Sequence, residues 1–142
     1  MSSVAEFIAY VKAKPGEINY GSTGIGSSGH LAGELFKYMA RVNFVHIPYK
    51  ASSAAAVDLL AGNVQLAFNN PASVTSHIKA GRLKALAVCS AQPSALLPGL
   101  PTVSASGLPG YESAAIYGLW APASTPAAII KLLNQEIVRI LN

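Results

Sequence analysis

Residues 44–68, FVHIPYKASSAAAVDLLAGNVQLAF, contain the pattern that decides the fold. Apolar runs over 44–49 and 64–68 predict two strands, since both contain β-branched and aromatic side chains. Between them, residues 52–61 predict a helix that ends at Gly62, a residue type that readily adopts the left-handed conformation of a helix C-terminus. A strand, a helix and a strand in this order form a right-handed unit whose strands run parallel.

The same alternation continues on both sides of this stretch. Ser3-Val4-Ala5-Glu6 has the spacing of a capping box and opens a helix that should run to Lys14. The other predicted elements are a strand over 18–20, a helix over 30–40, a helix over 72–80 and a strand over 83–89. The fold class expected is therefore α/β, with a mostly parallel sheet flanked by helices.

The pattern changes after Cys89. Prolines and glycines become frequent and predict a long irregular connection up to residue 110. An extended stretch is predicted over 111–121. A last helix should follow, capped by Thr125 with Pro126 at its first position, and run to the end of the chain.

Composition excludes several classes of function. The net charge is +4, but the basic residues are scattered and lack the clusters or interleaved aromatics of a nucleic-acid surface, so no nucleic-acid partner is expected. No apolar stretch reaches the ~20 residues of a membrane-spanning helix. One cysteine, Cys89, allows no disulfide within the chain, and three histidines without ligand spacing predict no metal site and no cofactor.

The loops that follow the strands hold the candidate site. In a parallel sheet, ligands bind at the carboxyl ends of the strands, which places loops 22–28, 49–53 and 69–73 at one edge. Each loop leads into a helix, whose first turn offers unpaired N–H groups to an anion. A carboxylate or phosphate is therefore the expected ligand. The candidate ligand-binding residues are Ser22, Thr23, Gly26, Ser27, Ser28, His30, Tyr49, Asn69 and Asn70.

The Gly-rich segment 21–29 lacks the motifs of two other kinds of site. A nucleotide site would need Lys and then Ser or Thr after the last Gly, or GxGxxG with an acidic residue after the next strand, and neither is present. A hydrolase using Ser27 or Ser28 with His30 would lack both the GxSxG elbow and an orienting carboxylate. The alternative that stays open is a small enzyme acting on a phosphorylated or acylated metabolite.

Motifs along nearly the whole chain resemble one known family, the Bug-type (TctC-type) receptors of tripartite tricarboxylate transporters. They include Lys14-Pro15-Gly16, Asn19-Tyr20-Gly21-Ser22, His30-Leu31-Ala32-Gly33-Glu34-Leu35-Phe36, Pro48-Tyr49-Lys50, Asp58-Leu59-Leu60-Ala61-Gly62, His77-Ile78-Lys79-Ala80-Gly81, Leu100-Pro101-Thr102-Val103 and Gly118-Leu119-Trp120-Ala121-Pro122. The match is to the family's second lobe.

The resemblance implies a fold and a function. The chain would be one lobe of a periplasmic-binding-protein-like (type II) fold that binds a small carboxylate, such as a dicarboxylate, for a membrane transporter, with no catalysis. The family's second-lobe contacts to the carboxylate come from the loops matching Ser22–Ser28 and Asn69-Asn70. The chain departs from many relatives at three positions: Asn69 replaces Asp, Gly29 replaces Pro and Ala51 replaces Gly.

The resemblance also implies a division of the chain. Residues 1–110 would form the ligand-binding lobe, 111–124 a hinge-like crossing strand, and 125–142 a helix that packs on the family's first lobe. Because that lobe and a signal peptide cannot be read in this sequence, a cytoplasmic or recombinant fragment is expected as it stands, although the family is periplasmic. The apolar stripe of the last helix predicts a homodimer.

Overall fold

A computed structural model describes residues 2–141. Its helices and strands are α1 (Val4–Ala13), β1 (Asn19–Ser22), α2 (Ser28–Ala40), β2 (Val45–Pro48), α3 (Ser52–Ala61), β3 (Leu66–Ala67), α4 (Pro71–Lys79) and α5 (Ala127–Leu141), with one turn of 3-10 helix at Ser104–Ser106. Among the residues described, no helix has the length and apolar character needed to cross a membrane.

The sheet is parallel, with strand order β2-β1-β3. Central β1 pairs Tyr20 with His46 of β2 and with Leu66 of β3. This confirms the α/β fold with a parallel sheet between helices. It also brings the carboxyl ends of three strands to one edge, because parallel strands all end on the same side.

Successive residues of β1 face opposite helical layers, as the pleat requires. Tyr20 lies against Gly33 of α2, so closely that a Cβ at Gly33 would overlap the phenol ring. Gly21 faces the other way, where a Cβ would lie 3.4 Å from that of Ala55 in α3. Helices α2 and α3 therefore cover opposite faces of the sheet, and both glycines let a helix approach β1 closely.

The main core lies on the α2 side, where α1 and the chain after residue 100 pack against the sheet. Phe36 is its centre, with ring centroids 5.8 Å from Phe7, 6.2 Å from Phe44 and 5.9 Å from Tyr111. Each such aromatic pair adds about 0.5–1.5 kcal/mol beyond the burial of its area. The buried members are Val4, Phe7, Val11, Ile18, Tyr20, Phe36, Ala40, Phe44, Val103, Leu108 and Tyr111.

The strand predicted over 83–89 is wrong. In its place a single parallel bridge joins Val88 to Thr102. The reason lies in the partner segment: Pro101 has no N–H to donate, and the chain turns into the 3-10 helix two residues after Thr102. Pairing therefore stops after one bridge. The strand predicted over 64–68 is real but shorter, at Leu66–Ala67.

Several predicted helix boundaries also shift. α2 begins at Ser28 instead of residue 30, because Ser27 caps it. α5 begins at Ala127, where the Pro126 carbonyl accepts from Ile129 and Ile130 N–H groups, and Thr125 makes no side-chain cap among the described residues. The α1 cap is present: Ser3 accepts from Glu6 N–H, but the Glu6 carboxylate accepts from Ser2, one residue earlier than a capping box requires.

The chain leaves the folded body after Tyr111. The last backbone hydrogen bond to the folded body runs from the Ser113 N–H to the Cys89 carbonyl, at 2.8 Å. Beyond it, Ile116 is 95% exposed and Trp120 is 90% exposed. α5 also has no buried residue. The last thirty or so residues therefore present large apolar side chains to solvent.

Candidate functional site

The three strand-to-helix loops meet at one edge of the sheet, as the sequence predicts. The Tyr49 N–H donates to the Ser22 carbonyl at 2.9 Å, which joins the first and second loops. The first turn of α2 abuts the third loop, because a Cβ at Gly29 would lie 2.5 Å from the Phe68 carbonyl oxygen. Any residue with a Cβ at position 29, proline included, would force these backbones apart. Gly29 therefore allows a close approach of these two backbones.

The N-terminus of α2 leaves two N–H donors open. Ser27 caps the helix, accepting from His30 N–H at 3.2 Å, and its carbonyl accepts from Leu31. The N–H groups of Ser28 and Gly29 have no partner among residues 2–141. An anion placed before this turn would meet both donors and the positive end of the helix dipole.

The N-terminus of α3 is the least satisfied of the three. Its N-cap residue is Ala51, which has no side-chain acceptor, and no side-chain cap is formed. The N–H groups of Ser52, Ser53 and Ala54 are left without partners in the described part of the chain. A helix without a cap is less stable by about 0.5–2 kcal/mol than a capped one, which suggests that these donors serve another purpose.

The N-terminus of α4 differs from what the sequence predicts. Pro71 has no N–H, the Asn70 side chain accepts from Ala72, and the Asn70 carbonyl accepts from Ser73. All donors of this first turn are therefore absent or occupied. The third loop offers a side chain instead: the Nδ2 atom of Asn69 is buried and is the one such polar atom without a partner among residues 2–141.

A network of hydrogen bonds underlies the first loop. Ser22 is 1% exposed, and its Oγ lies 2.7 Å from His46 Nε2, within 3.3 Å of Ser27 Oγ, and near both the N–H and the carbonyl of Gly24. Thr23 is exposed above this network. Gly26 has a φ of +80°, a conformation that favours glycine.

His30 also belongs to this loop. Its Nδ1 accepts from the Gly26 N–H at 3.2 Å, which places the proton of the neutral ring on Nε2. Ring centroids of His30 and His46 lie 4.4 Å apart. Sequence reasoning missed His46, since only the register that pairs residue 46 with Tyr20 brings it beneath the loop. Burial lowers the pKa of His46, and His30 adds to the lowering.

Tyr49 is directed away from the loop edge. Its hydroxyl donates to an Asp58 carboxylate oxygen in α3 at 2.6 Å, and this bond raises the pKa of Tyr49 to about 12. The same bond lowers the pKa of Asp58. The ring lies against Gly21, where a Cβ would be 3.2 Å away. Tyr49 therefore anchors the second loop on α3 and its hydroxyl is occupied.

An open groove with a volume of about 730 Å³ runs between α3 and α4. It begins beside Ser52, Ser53 and Ser73 at the helix N-termini and ends near His77 and Arg82. It therefore continues from the loop edge along the α3 face. Within residues 2–141, no cluster of three or more His, Cys, Asp or Glu side chains could hold a metal ion.

Comparisons with known proteins identify the family. The family model described as tripartite tricarboxylate transporter family receptor, TctC, matches residues 1–141. The UPF0065 protein in the tcbD-tcbE intergenic region of Pseudomonas sp. (strain P51) is 37% identical, over 94% of this chain and 40% of that protein. Protein BugT of Bordetella pertussis is 38% identical, over 96% of this chain and 42% of that protein.

Solved structures agree with this. R. palustris Rpa4515 with adipate has a TM-score of 0.91 at 39% identity, over 95% of this chain and 45% of that one. MatC (Rpa3494) from Rhodopseudomonas palustris with bound malate has a TM-score of 0.86 at 26% identity, over 99% of this chain and 48% of that one. The chain spans about two-fifths of the length of these curated relatives, and just under half of the solved chains. It therefore belongs to the family of tripartite tricarboxylate transporter receptors and has the fold of one lobe of a periplasmic binding protein.

Proposed function

We propose that this chain forms one wall of a cleft that binds a small dicarboxylate for uptake through a tripartite transporter. The observation that carries the proposal is the pair of open helix N-termini at one sheet edge. Ser28 and Gly29 of α2, and Ser52, Ser53 and Ala54 of α3, present backbone N–H groups without partners among the described residues. Backbone donors at helix N-termini bind carboxylates directly.

The charge of the loop edge supports an anionic ligand. Segments 22–28, 49–53 and 69–73 contain no Asp or Glu, and Lys50 is exposed beside the start of α3. Each helix N-terminus adds roughly half a positive charge. Asn69, whose side chain is neutral, also adds no negative charge to the edge. A ligand with two carboxylates fits two N-termini, and the similar proteins with adipate and with malate hold dicarboxylates.

Among the residues proposed for the ligand, the supporting contacts differ. Ser27, Ser28 and Gly26 lie at the start of α2, Thr23 is exposed above Ser22, and His30 points an Nε2–H away from Gly26. Asn69 supports the proposal through its unpartnered Nδ2 atom. Asn70 and Tyr49 hold the loops in place, since Asn70 Oδ1 accepts from the Ala72 N–H and the Tyr49 hydroxyl donates to Asp58.

The rival function, an enzyme acting on a phosphorylated or acylated metabolite, needs an accessible nucleophile. The short contact between Ser22 Oγ and His46 Nε2 has the geometry of a nucleophile and its base, at 2.7 Å. However, Ser22 is 1% exposed and its Oγ is surrounded by protein groups. This favours a structural task for Ser22, and hence a receptor. Turnover of any bound ligand would support the enzyme instead.

The proposed division of the chain follows from where burial ends. Residues 1–110 form the ligand-binding lobe, 111–124 the crossing, and 125–142 a helix that packs on a further lobe or on a second copy of the chain. The exposed apolar side chains of the last two segments support this division. In the full-length family the receptor works in the periplasm with membrane subunits of the transporter, and we propose the same setting for this chain.

A thermal-shift screen of mono-, di- and tricarboxylates tests the proposal. At a concentration ten times the dissociation constant, a ligand adds about 1.4 kcal/mol to the unfolding free energy, which raises Tm by several degrees. Dicarboxylates of the length of malate to adipate should give the largest shift. The neutral diamides of the same acids, at matched ionic strength, are the control. Equal shifts with acid and diamide, or none with any acid, would refute a carboxylate site.

A further inference from the structure

Ser22 Oγ is a hydrogen-bonding centre with more neighbours than it can satisfy. Four polar groups lie around it: His46 Nε2 at 2.7 Å, Ser27 Oγ at 3.3 Å, the Gly24 carbonyl at 3.1 Å and the Gly24 N–H at 3.2 Å. A hydroxyl group donates one proton and accepts two. One of the four neighbours therefore makes no hydrogen bond to Ser22 Oγ. Whether His46 Nε2 carries a proton decides which one.

Two arrangements satisfy the geometry. When His46 Nε2 carries no proton, Ser22 donates to it and accepts from the Gly24 N–H and the Ser27 hydroxyl. The Ser27 proton then points inward. When Nε2 carries a proton, it donates to Ser22, which donates to the Gly24 carbonyl. The backbone N–H of Gly24 cannot turn away, so it takes the remaining lone pair and the Ser27 hydroxyl is released.

We infer that His46 is a positioning residue of the carboxylate site, that its neutral ring in the free protein carries its proton on Nδ1, and that a bound carboxylate is accompanied by a second proton, on Nε2. The inference rests on the proposed function, because it takes Ser27 as a ligand-binding residue. Ser27 precedes the open N–H groups of Ser28 and Gly29. Its released hydroxyl therefore adds a third donor for the same anion. His46 acts through Ser22 and Ser27 and touches no ligand itself.

The groups around the His46 imidazole set how readily it takes up a proton. The ring of His30 in α2 lies 4.4 Å away between centroids and that of Tyr20 in β1 lies 4.8 Å away. Burial is the largest influence and lowers the pKa of His46; His30 and Lys37 lower it further, while Glu34 opposes them. The ordinary value is 6.5, so His46 is mostly neutral at pH 7 in the free protein.

A bound anion reverses this balance. A carboxylate at the first turn of α2 places negative charge near His46 and favours the imidazolium, so the pKa of His46 is higher in the complex than in the free protein. Binding then takes up protons at pH values between the two. Affinity rises as the pH falls through this window, by up to about tenfold per pH unit. The lower end of this pH window is the pKa of His46 in the free protein, which lies below its ordinary value of 6.5.

Calorimetry with adipate as the probe measures this coupling. Titrations at pH 8, 7 and 6, each in two buffers of different protonation enthalpy, give both the affinity and the number of protons taken up. We expect the affinity to be roughly three- to tenfold higher at pH 6 than at pH 8, with proton uptake at the lower pH. His46→Gln keeps an acceptor for Ser22 but cannot be protonated, so its affinity should not change with pH. His77→Gln, at the far end of α4, is the control and should keep the dependence.

A second measurement uses the unaltered protein, in case His46→Gln does not fold. The imidazole resonances of His46, followed by NMR against pH, should titrate at a higher pH with adipate than without. An unchanged midpoint, or a pH dependence retained in a folded His46→Gln, overturns the inference and leaves the proposed function intact. Failure of both adipate and malate to bind at any pH overturns both.

Discussion

Ser27 and Ser28 are neighbours in the sequence but differ in what holds their side chains. Ser27 caps α2 and reaches back toward Ser22, so it serves the fold as well as the proposed ligand. Ser28 is exposed and its hydroxyl has no partner among residues 2–141. Variants of the two serines can therefore separate an effect on the stability of the protein from an effect on ligand binding.

Replacing each serine by alanine should give different outcomes. Ser28→Ala should weaken carboxylate binding by about 0.5–1.5 kcal/mol, the net value of one hydrogen bond, and leave the unfolding free energy unchanged. Ser27→Ala should weaken binding similarly and also lower the unfolding free energy by about 1 kcal/mol through loss of the cap. Calorimetry and denaturant unfolding measure the two effects. Ser76→Ala, on exposed α4 surface, is the control. If both variants bind as the native chain does, the loop is only a turn.

Sequence reasoning placed the three loops at one edge of the sheet, as in the structure, but it did not find all the side chains that shape them. Strand-to-helix order alone places Ser22, Ser27 and Asn69 at one edge, because the edge follows from parallel pairing. The turn of Tyr49 toward Asp58 depends on side-chain conformation, and the contact of His46 with Ser22 depends on strand register. Neither is fixed by local sequence.

Of the three helices that start at the loop edge, α3 is the one whose start is least stabilised by the protein itself. Ala51 gives it no cap, and three N–H groups of its first turn stay open in the described chain. α2 and α4 have side-chain caps from Ser27 and Asn70. The uncapped start of α3 lowers the stability of the helix and, under the proposed function, leaves backbone donors for the ligand.

Adding the missing cap should raise the stability of the protein and lower its affinity for the ligand. Ala51→Ser supplies a hydroxyl oxygen for an N–H of the first turn and should stabilise the protein by about 0.5–2 kcal/mol. Carboxylate affinity should fall, because that N–H is no longer open. Ala80→Ser, at the exposed C-terminal end of α4, is the matched control and should change neither quantity. Urea unfolding and calorimetry give the two numbers; a stabilised variant with native affinity would remove α3 from the site.

Periodicity predicted the five α-helices and the three paired strands of the described chain, because each is encoded in residues close together in sequence. It failed at 83–89, which is as apolar as a strand but has no regular partner. Whether an apolar segment pairs depends on distant residues, here Pro101 and the turn at Ser104. A local sequence pattern cannot show whether a distant segment is able to pair.

At the scale of the molecule, the proposed site is a surface and not an enclosed pocket. The chain spans 45% of the similar protein that holds adipate, and under the proposed function it would supply one wall of such a cleft. We expect the chain alone to bind a dicarboxylate with a millimolar dissociation constant, where a two-walled receptor would be micromolar, a loss of about 4 kcal/mol. Calorimetry decides this. A submicromolar constant for the monomer would mean that the chain has a complete cleft of its own.

The exposed face of α5 leads to the last prediction. Ile129, Ile130, Leu133, Ile137, Ile140 and Leu141 share one side of this helix, and Leu133 is still 42% exposed. Burying one such side chain fully is worth roughly 1.5–3 kcal/mol, so two copies of the chain gain by covering each other's stripes.

Light scattering at micromolar concentration should therefore show a dimer. Leu133→Glu should dissociate it, because a carboxylate would be buried without a partner. Gln135→Glu, on the opposite side of α5, adds the same charge and should leave the dimer intact. Removing residues 125–142 should likewise give a monomer. A monomeric native chain whose α5 amides resist hydrogen exchange would mean that the helix packs on its own lobe, and the boundary proposed at residue 125 would then be misplaced.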